Sequence, residues 1–423
     1  MQEPTWEYGL YFGAHGSWGD DREPRMLTQW RANMETLASP LSVAERQEFR
    51  DLFDRRIEKV KAKTADVFAF KGVEHPPFLV NGAGYWRFAY EPETFPDDLL
   101  NDPAVMTNAQ ERMYYDQIKE IDDDFVPYLM PWFGTYVAAS AFGCRIEYPP
   151  KGDPVMDPRS RPVQTAEDIK KLEIPNPEQD GLMPRVLEFL DYMRRNSFLP
   201  VGITDLQGPL ATANQLMGLD KLIYLMVDEP LAVHALMEKI TETLIGWVKK
   251  QKEVTAEPLT ECVGDQCIYT GRHAGVWLSD DDAVLISPKL YKEFVVPYNS
   301  RILMAFGGGC LHYCGDGTHQ AENFLDTEGL RAINNSVMYR IGAFKKLKSR
   351  VEGRIALFAG DLAPVDYEEY YNEFLADLSL KGLVVHCAYL PMLGMLKDGQ
   401  LAAIQGDLYA GRRLLFKYLS RRL

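Results

Sequence analysis

Apolar residues along this chain fall into two alternating patterns. Short runs have the length and flanking turn residues of β-strands: Pro77–Val80, Phe125–Leu129, Leu199–Ile203, Cys310–Cys314, Arg354–Ala359 and Gly382–Cys387. Between them, apolar positions recur at helical spacing. Ser42-x-x-Glu45 has the form of a capping box and predicts a helix through about Lys63, with Val43, Phe49, Leu52, Ile57 and Val60 available for its buried face. Asp228-Glu229-Pro230 opens another, in which Val233, Leu236, Met237, Ile240, Leu244 and Trp247 share one side. Ser287-Pro288 caps a third, with a kink expected at Pro297. Residues 1–40 show no clear period and read as an arm or cover. The seven prolines from Pro149 to Pro177 mark an irregular excursion.

Repeated strand–helix alternation implies a parallel sheet. Polar candidates fall just beyond several strands, and no glycine-rich phosphate loop follows a strand; Gly307-Gly308-Gly309 precedes one. The pattern therefore predicts a (β/α)8 TIM barrel over residues 71–423 rather than an open doubly wound sheet, with residues 1–70 as an N-terminal extension packed on it.

Composition narrows the partners. The chain has 423 residues, 46% of them hydrophobic, and a net charge of −15, which argues against nucleic acid or an anionic membrane surface. The opening MQEPTWEYGLYFGAHG lacks the charged start and apolar core of a secretory leader. The least charged stretch, Gly382 to Leu396, is too short to span a bilayer and is broken by His386, Pro391 and Gly394. Six cysteines are too few for a disulfide scaffold, so a reducing cytoplasm is the expected location.

The candidate chemistry lies near the C-terminus. His312 and Cys314 are two apart on one strand, so they face the same way, about 6–7 Å apart. Cys387 ends a later apolar run. An imidazole and two thiolates are zinc ligands, and a site with three protein ligands keeps one position free for chemistry. Two thiolates and a neutral histidine cancel the charge of Zn2+. A thiol entering the open position would then lose its proton to become a nucleophile. The competing reading is three buried residues without a metal. Cys310 lies one step deeper and reads as core, as do Cys262 and Cys267. His386 has the opposite parity to Cys387 and reads as a supporting residue. Asp205, Asp281, Asp282 and Asp361 follow strand ends, where barrel enzymes place polar groups, although helix capping is the alternative. Trp132, Phe133 and Tyr136 read as core packing, and His15, His75, His234 and His319 as ordinary histidines.

Several fragments resemble the uroporphyrinogen decarboxylase superfamily, which is built on a (β/α)8 barrel. Gly208-Pro209-Leu210 with Ala213, Leu216 and Gly218, then Asp228-Glu229-Pro230, resembles its G-P…A…L…G…D-P-E stretch. Asp281-Asp282, Ile286-Ser287-Pro288 and Phe294…Pro297 resemble its D-D…I-S-P…F…P segment. Phe358 to Pro364 resembles its G-N-x-D-P strand end, with Asp361 and Ala363 as departures. The likeness runs in order from about Val80 to Ile404.

Decarboxylases of the superfamily carry an N-terminal R-Q-A-G-R motif whose arginines hold the substrate's carboxylates. Here the first strand reads FLVNGAGYWRF. The other branch contains zinc methyltransferases that exchange a methyl group between a corrinoid protein and a thiol such as coenzyme M. That branch carries H-x-C on one late strand and a lone cysteine on the last. The resemblance therefore implies Zn2+ held by His312, Cys314 and Cys387, and argues against the subgroup that lacks these ligands and uses tetrahydrofolate. The chain has no D-x-H-x-x-G corrinoid motif, so a corrinoid (cobalamin) would arrive on a partner protein. The implied reaction is attack of a zinc-held thiolate on the corrinoid's methyl group. Asp205, Asp281 and Asp361 would orient the acceptor or take the thiol proton, and Asp361 is also a candidate resting ligand. A metal-free lyase acting on a carboxylated compound and a non-catalytic binding protein are the competing functions. A pterin or methoxylated compound in place of the thiol, and assembly with further copies of the chain, stay open.

Overall fold

The apolar runs pair side by side. The computed structural model describes residues 39–81, 99–148, 153–338, 340–362, 366–388, 394–395, 401–402 and 410–423. In it, β1 (Phe78–Asn81), β2 (Val276–Ser279), β3 (Gly309–Cys314), β4 (Leu330–Ser336), β5 (Ala356–Leu362) and β6 (Leu383–Ala388) form one parallel sheet in the order β1-β6-β5-β4-β3-β2. Two predicted strands close the ring between β1 and β2. The Asp124 amide donates to the Phe78 carbonyl, Leu129 bridges Val201, and Gln207 bridges Ser279, both bridges parallel. Six strands plus these two segments make the eight staves of a (β/α)8 barrel. The two segments pair with each other only at a single bridge, flanked by Pro127, Pro131 and Pro200, which lack the N–H that a ladder needs.

The N-terminal helix α1 (Val43–Phe68) starts at the expected capping box, with Ser42 and Glu45 exchanging hydrogen bonds, and runs on past Lys63. Its Arg56 is buried and bonds Asp123 at 3.1 Å, and the Val80 amide donates to the same carboxylate. Phe68, at the helix end, meets Phe358 edge-on at 6.0 Å and stacks on His273. The helix is thereby sewn to β1 and reaches the floor of the barrel, where Trp277 and Phe358 fill the interior.

Helix α2 (Pro230–Thr255) begins at the predicted proline. The kink expected at Pro297 is a break. Helix α3 (Pro288–Phe294) ends before it, and α4 (Val296–Ala305) starts with that proline in its first turn. Cys262 and Cys267 are buried thiols, as expected, in an unpredicted hairpin pairing Cys262–Asp265 with Ile268–Gly271. Its turn residues Gln266 (φ 47°) and Cys267 (φ 67°) both adopt the left-handed conformation that a two-residue type I′ turn needs.

Helix α5 (Tyr367–Leu375) lies against β5 and β6. Helix α6 (Ala410–Leu419) covers β1, where Phe416 stacks on Phe78 and Arg412 Nε donates to the Val80 carbonyl at 2.6 Å. No helix among the described residues is long and apolar enough to cross a membrane.

Candidate metal centre

The C-terminal ends of β2, β3 and β4 build the site. Ser279 is the register partner of His312, and His312 of Asn334, so three neighbouring staves present side chains in one row. Among the described residues, Asp281, His312 and Cys314 form the one group of histidine, cysteine and carboxylate donors whose ligand atoms lie within 4.8 Å of one another. Nε2 of His312 is 3.6 Å from Sγ of Cys314 and 3.8 Å from Oδ1 of Asp281. The Cys314 amide donates to that same Oδ1 at 2.9 Å, which ties the loop after β2 to the end of β3.

One amide sets the histidine's orientation. Nδ2 of Asn334 donates to the Phe358 carbonyl at 3.2 Å, so its Oδ1 faces Nδ1 of His312 at 2.6 Å. Nδ1 therefore carries the hydrogen, and Nε2 is the nitrogen aimed at Cys314 and Asp281. Burial alone would keep this imidazole neutral. The Cys314 sulfur and the Asp281 carboxylate outweigh it and push the group up to about 10. Such surroundings favour a positive charge, whether a proton or a metal ion.

These donors fit zinc. Bonds of about 2.3 Å to sulfur and about 2.0–2.1 Å to nitrogen, at a tetrahedral angle, separate the two donors by about 3.6 Å. Nε2 and Sγ stand at that separation. Neutral imidazole, thiolate and carboxylate together balance a dication, and a ligating histidine normally gives its other ring N–H to a fixed oxygen, here Oδ1 of Asn334. Cys314 is half-buried and the Asp281 side chain is 39% exposed, so the cluster opens to solvent.

Two expected participants lie elsewhere. Cys387 is not in the cluster. It pairs in register with Asp361, while His386 pairs with Gly360. Side chains alternate along a strand, so His386 and Gly360 share one side and Cys387 and Asp361 the other. The inward side belongs to His386: a β-carbon on Gly360 would stand 3.9 Å from both His386 Nδ1 and Asn334 Nδ2. Cys387 is fully buried beside Tyr371 of α5, and burial pushes its thiol up to about 12. Asp361 also turns outward. It accepts from the Met338 amide at 3.0 Å and from the Tyr370 hydroxyl, which makes it a fastener of the loop after β4.

Asp205 is inside the barrel, next to the row of site residues. It accepts from Gln207 Nε2 at 2.8 Å and from Ser279 Oγ at 3.4 Å. Burial, reinforced by the charge of Asp265, raises its carboxyl to about 7. Asp282 bonds Asn214 and is raised to about 6 by burial. Asp280, which the sequence did not single out, is buried under α3 and α4. It accepts from Tyr291 and Asn299, and burial lifts it to about 7. Asn334 was also missed. Its signal is the pair Asn334-Asn335 in an otherwise apolar run, since buried strand amides occur where something must be held. Cys310 is fully buried core, as expected, whereas His386 is buried on the inward side of its strand, which the sequence pattern assigns to Cys387. Trp132 and Phe133 are buried and Tyr136 partly so, and His75, His234 and His319 make ordinary local contacts. His15 lies outside the described residues.

The family follows from this barrel and from the sequence it carries. Residues 128–367, more than half of the chain, match the family described as Uroporphyrinogen decarboxylase (URO-D), and the chain belongs to that family. Among curated relatives, a uroporphyrinogen decarboxylase from Syntrophotalea carbinolica is 29% identical over 181 residues, 40% of this chain and 45% of that protein. A methylated-thiol–coenzyme M methyltransferase from Methanosarcina mazei is 26% identical over 192 residues, 44% of this chain and 46% of that protein. The chain thus spans less than half the length of either relative. A solved methyltransferase structure from Methanosarcina mazei superposes with a TM-score of 0.59 over 86% of this chain and 98% of its own, at 16% sequence identity. That likeness establishes the fold.

Proposed function

We propose that this chain is a methyltransferase that transfers a methyl group between a corrinoid, presented by a separate protein, and a thiol acceptor activated at a zinc site. The observation that carries the reading is the convergence of His312 Nε2, Cys314 Sγ and an Asp281 carboxylate oxygen at the barrel mouth. Zinc bound there would lower the pKa of an incoming thiol and hold it as a nucleophilic thiolate. His312 and Cys314 hold the metal, and Asn334 keeps the imidazole turned towards it. Asp205, whose carboxyl is raised to about 7 by burial and which accepts from Ser279 of β2, is the candidate to take the thiol's proton or bind the acceptor's polar part. The similarity to a methylated-thiol–coenzyme M methyltransferase supports a thiol acceptor.

The test is metal analysis joined to turnover. Purified protein should carry about one zinc per chain, and Cys314→Ala and His312→Ala should lose it. With methylcobalamin and coenzyme M, the unaltered protein should convert the cobalamin spectrum while both variants do not. Protein that binds no zinc and transfers no methyl group would overturn the reading. A metal-free lyase, which the similarity to a decarboxylase favours, would then be the function to assay.

A further inference from the structure

We infer that Asp281, and not Cys387, is the third protein ligand of the metal, so that the centre holds one sulfur where the sequence pattern suggests two. The inference rests on the zinc reading above and concerns which side chains surround the ion.

Two independent observations carry it. The first is distance. A carboxylate oxygen and an imidazole nitrogen bound to one tetrahedral zinc stand about 3.3 Å apart. Oδ1 of Asp281 is 3.8 Å from Nε2 of His312, and its side chain is exposed enough to close the difference by a small rotation. The Cys314 amide already holds that oxygen on the correct side of the ring. The second is register. Cys387 shares the outward side of β6 with Val385, and from Val385 to Ala388 the strand is paired on both flanks, to β1 and to β5. Bringing Cys387 inward requires a one-residue slip, which would send His386 outward and break both ladders. Gly360 gives His386 the room it occupies.

The exchange alters the chemistry. One thiolate, one carboxylate and one neutral imidazole still balance Zn2+, as two thiolates and an imidazole would. With a single sulfur donating electron density, an ion held there would be a stronger Lewis acid, and a substrate thiol would supply its second sulfur.

X-ray absorption at the zinc edge of the full-length chain counts the sulfurs directly. One sulfur with the remaining ligands nitrogen or oxygen is expected at rest, and two once coenzyme M is added. Asp281→Asn should weaken zinc binding at least about 100-fold in a chelator competition, while Cys387→Ser keeps the unaltered affinity. Two sulfurs at rest, with zinc lost in Cys387→Ser and kept in Asp281→Asn, would overturn the assignment and leave the methyltransferase reading standing. Absence of zinc from the unaltered chain would remove both. If Cys387→Ser does not fold, the sulfur count of the unaltered protein still decides.

Discussion

At the scale of single residues, the site depends on groups that touch no ligand atom. Asn334 fixes which nitrogen of His312 is free, so Asn334→Ala should lower zinc affinity about 10–100-fold in a chain that still folds cooperatively. Chelator competition measures it, and an unchanged affinity would remove Asn334 from the site. Asp205 makes a different prediction, about pH. Its folded-state carboxyl lies at about 7 because of burial, above the ordinary value of 3.8, so the folded chain holds this proton more tightly than the unfolded one. Stability contributed by this group is present below about pH 4 and is lost as pH rises towards 7. Asp205→Asn keeps an acceptor for Gln207 and turns an amide N–H towards the Ser279 hydroxyl, which can accept it, but cannot ionise. Its stability relative to the unaltered protein should therefore rise by up to about 4 kcal/mol between pH 4 and 8 in urea titrations. A constant difference across that range would mean that Asp205 is not buried as an acid. His312 and Cys314 were legible in sequence because a two-residue step on one strand fixes a shared side. The facing of Cys387 and Asp361 was not legible. It depends on where β6 pairs with β5, and a shift of one residue inverts the answer.

At the scale of elements, caps were more legible than strands. Ser42-x-x-Glu45, Pro230 and Ser287-Pro288 mark helix starts because each satisfies an orphan N–H or, at the prolines, lacks one, whatever the rest of the fold does. Strand β2 was implied only by placing Asp281 and Asp282 after a strand end, without bounds, and β4 was missed. The first is only four residues long, and the second carries two asparagines through an apolar run. Both make sense only once their neighbours are in place, and β4 then supplies Asn334. The N-terminal helix gives the sharpest test at this scale. Arg56 of α1 is buried against Asp123, whose side chain is fully buried, and the same arginine bonds the carbonyls of Ile118 and Ile121. Removing one partner of such a pair strands the other charge in the interior. Arg56→Ala should therefore cost about 3–5 kcal/mol of unfolding free energy. A loss within about 0.5 kcal/mol, as for an ordinary surface change, would show that α1 is a loose cover and not part of the barrel's structure.

At the scale of the whole molecule, the barrel was legible from the alternation of strand and helix, but the way its ends are fastened was not. In the closed ring β1 lies beside β6, so the first and last staves support each other. The final helix α6 seals that seam. Leu415, Leu419 and the C-terminal Leu423 are all buried, Phe416 stacks on Phe78, and Arg412 bonds the Val80 carbonyl. Tyr418 joins α6 to α5 through Asn372. Burying three leucine side chains is worth about 2 kcal/mol each, so the helix contributes on the order of 6 kcal/mol before its polar contacts are counted. That is comparable with the total stability of many domains, about 5–15 kcal/mol. A chain ending at residue 409 should therefore lose the single cooperative transition of the full-length protein. In calorimetry it should unfold at a midpoint lower by more than about 10 °C or without a defined transition. It should also lose zinc, although residue 410 onward supplies no ligand, because β6 borders β5, and β5 holds the Asn334 amide through the Phe358 carbonyl. A truncated chain that melts at the full-length midpoint with its zinc retained would show that the ring holds without its seal, and that the site depends on β2 to β4 alone.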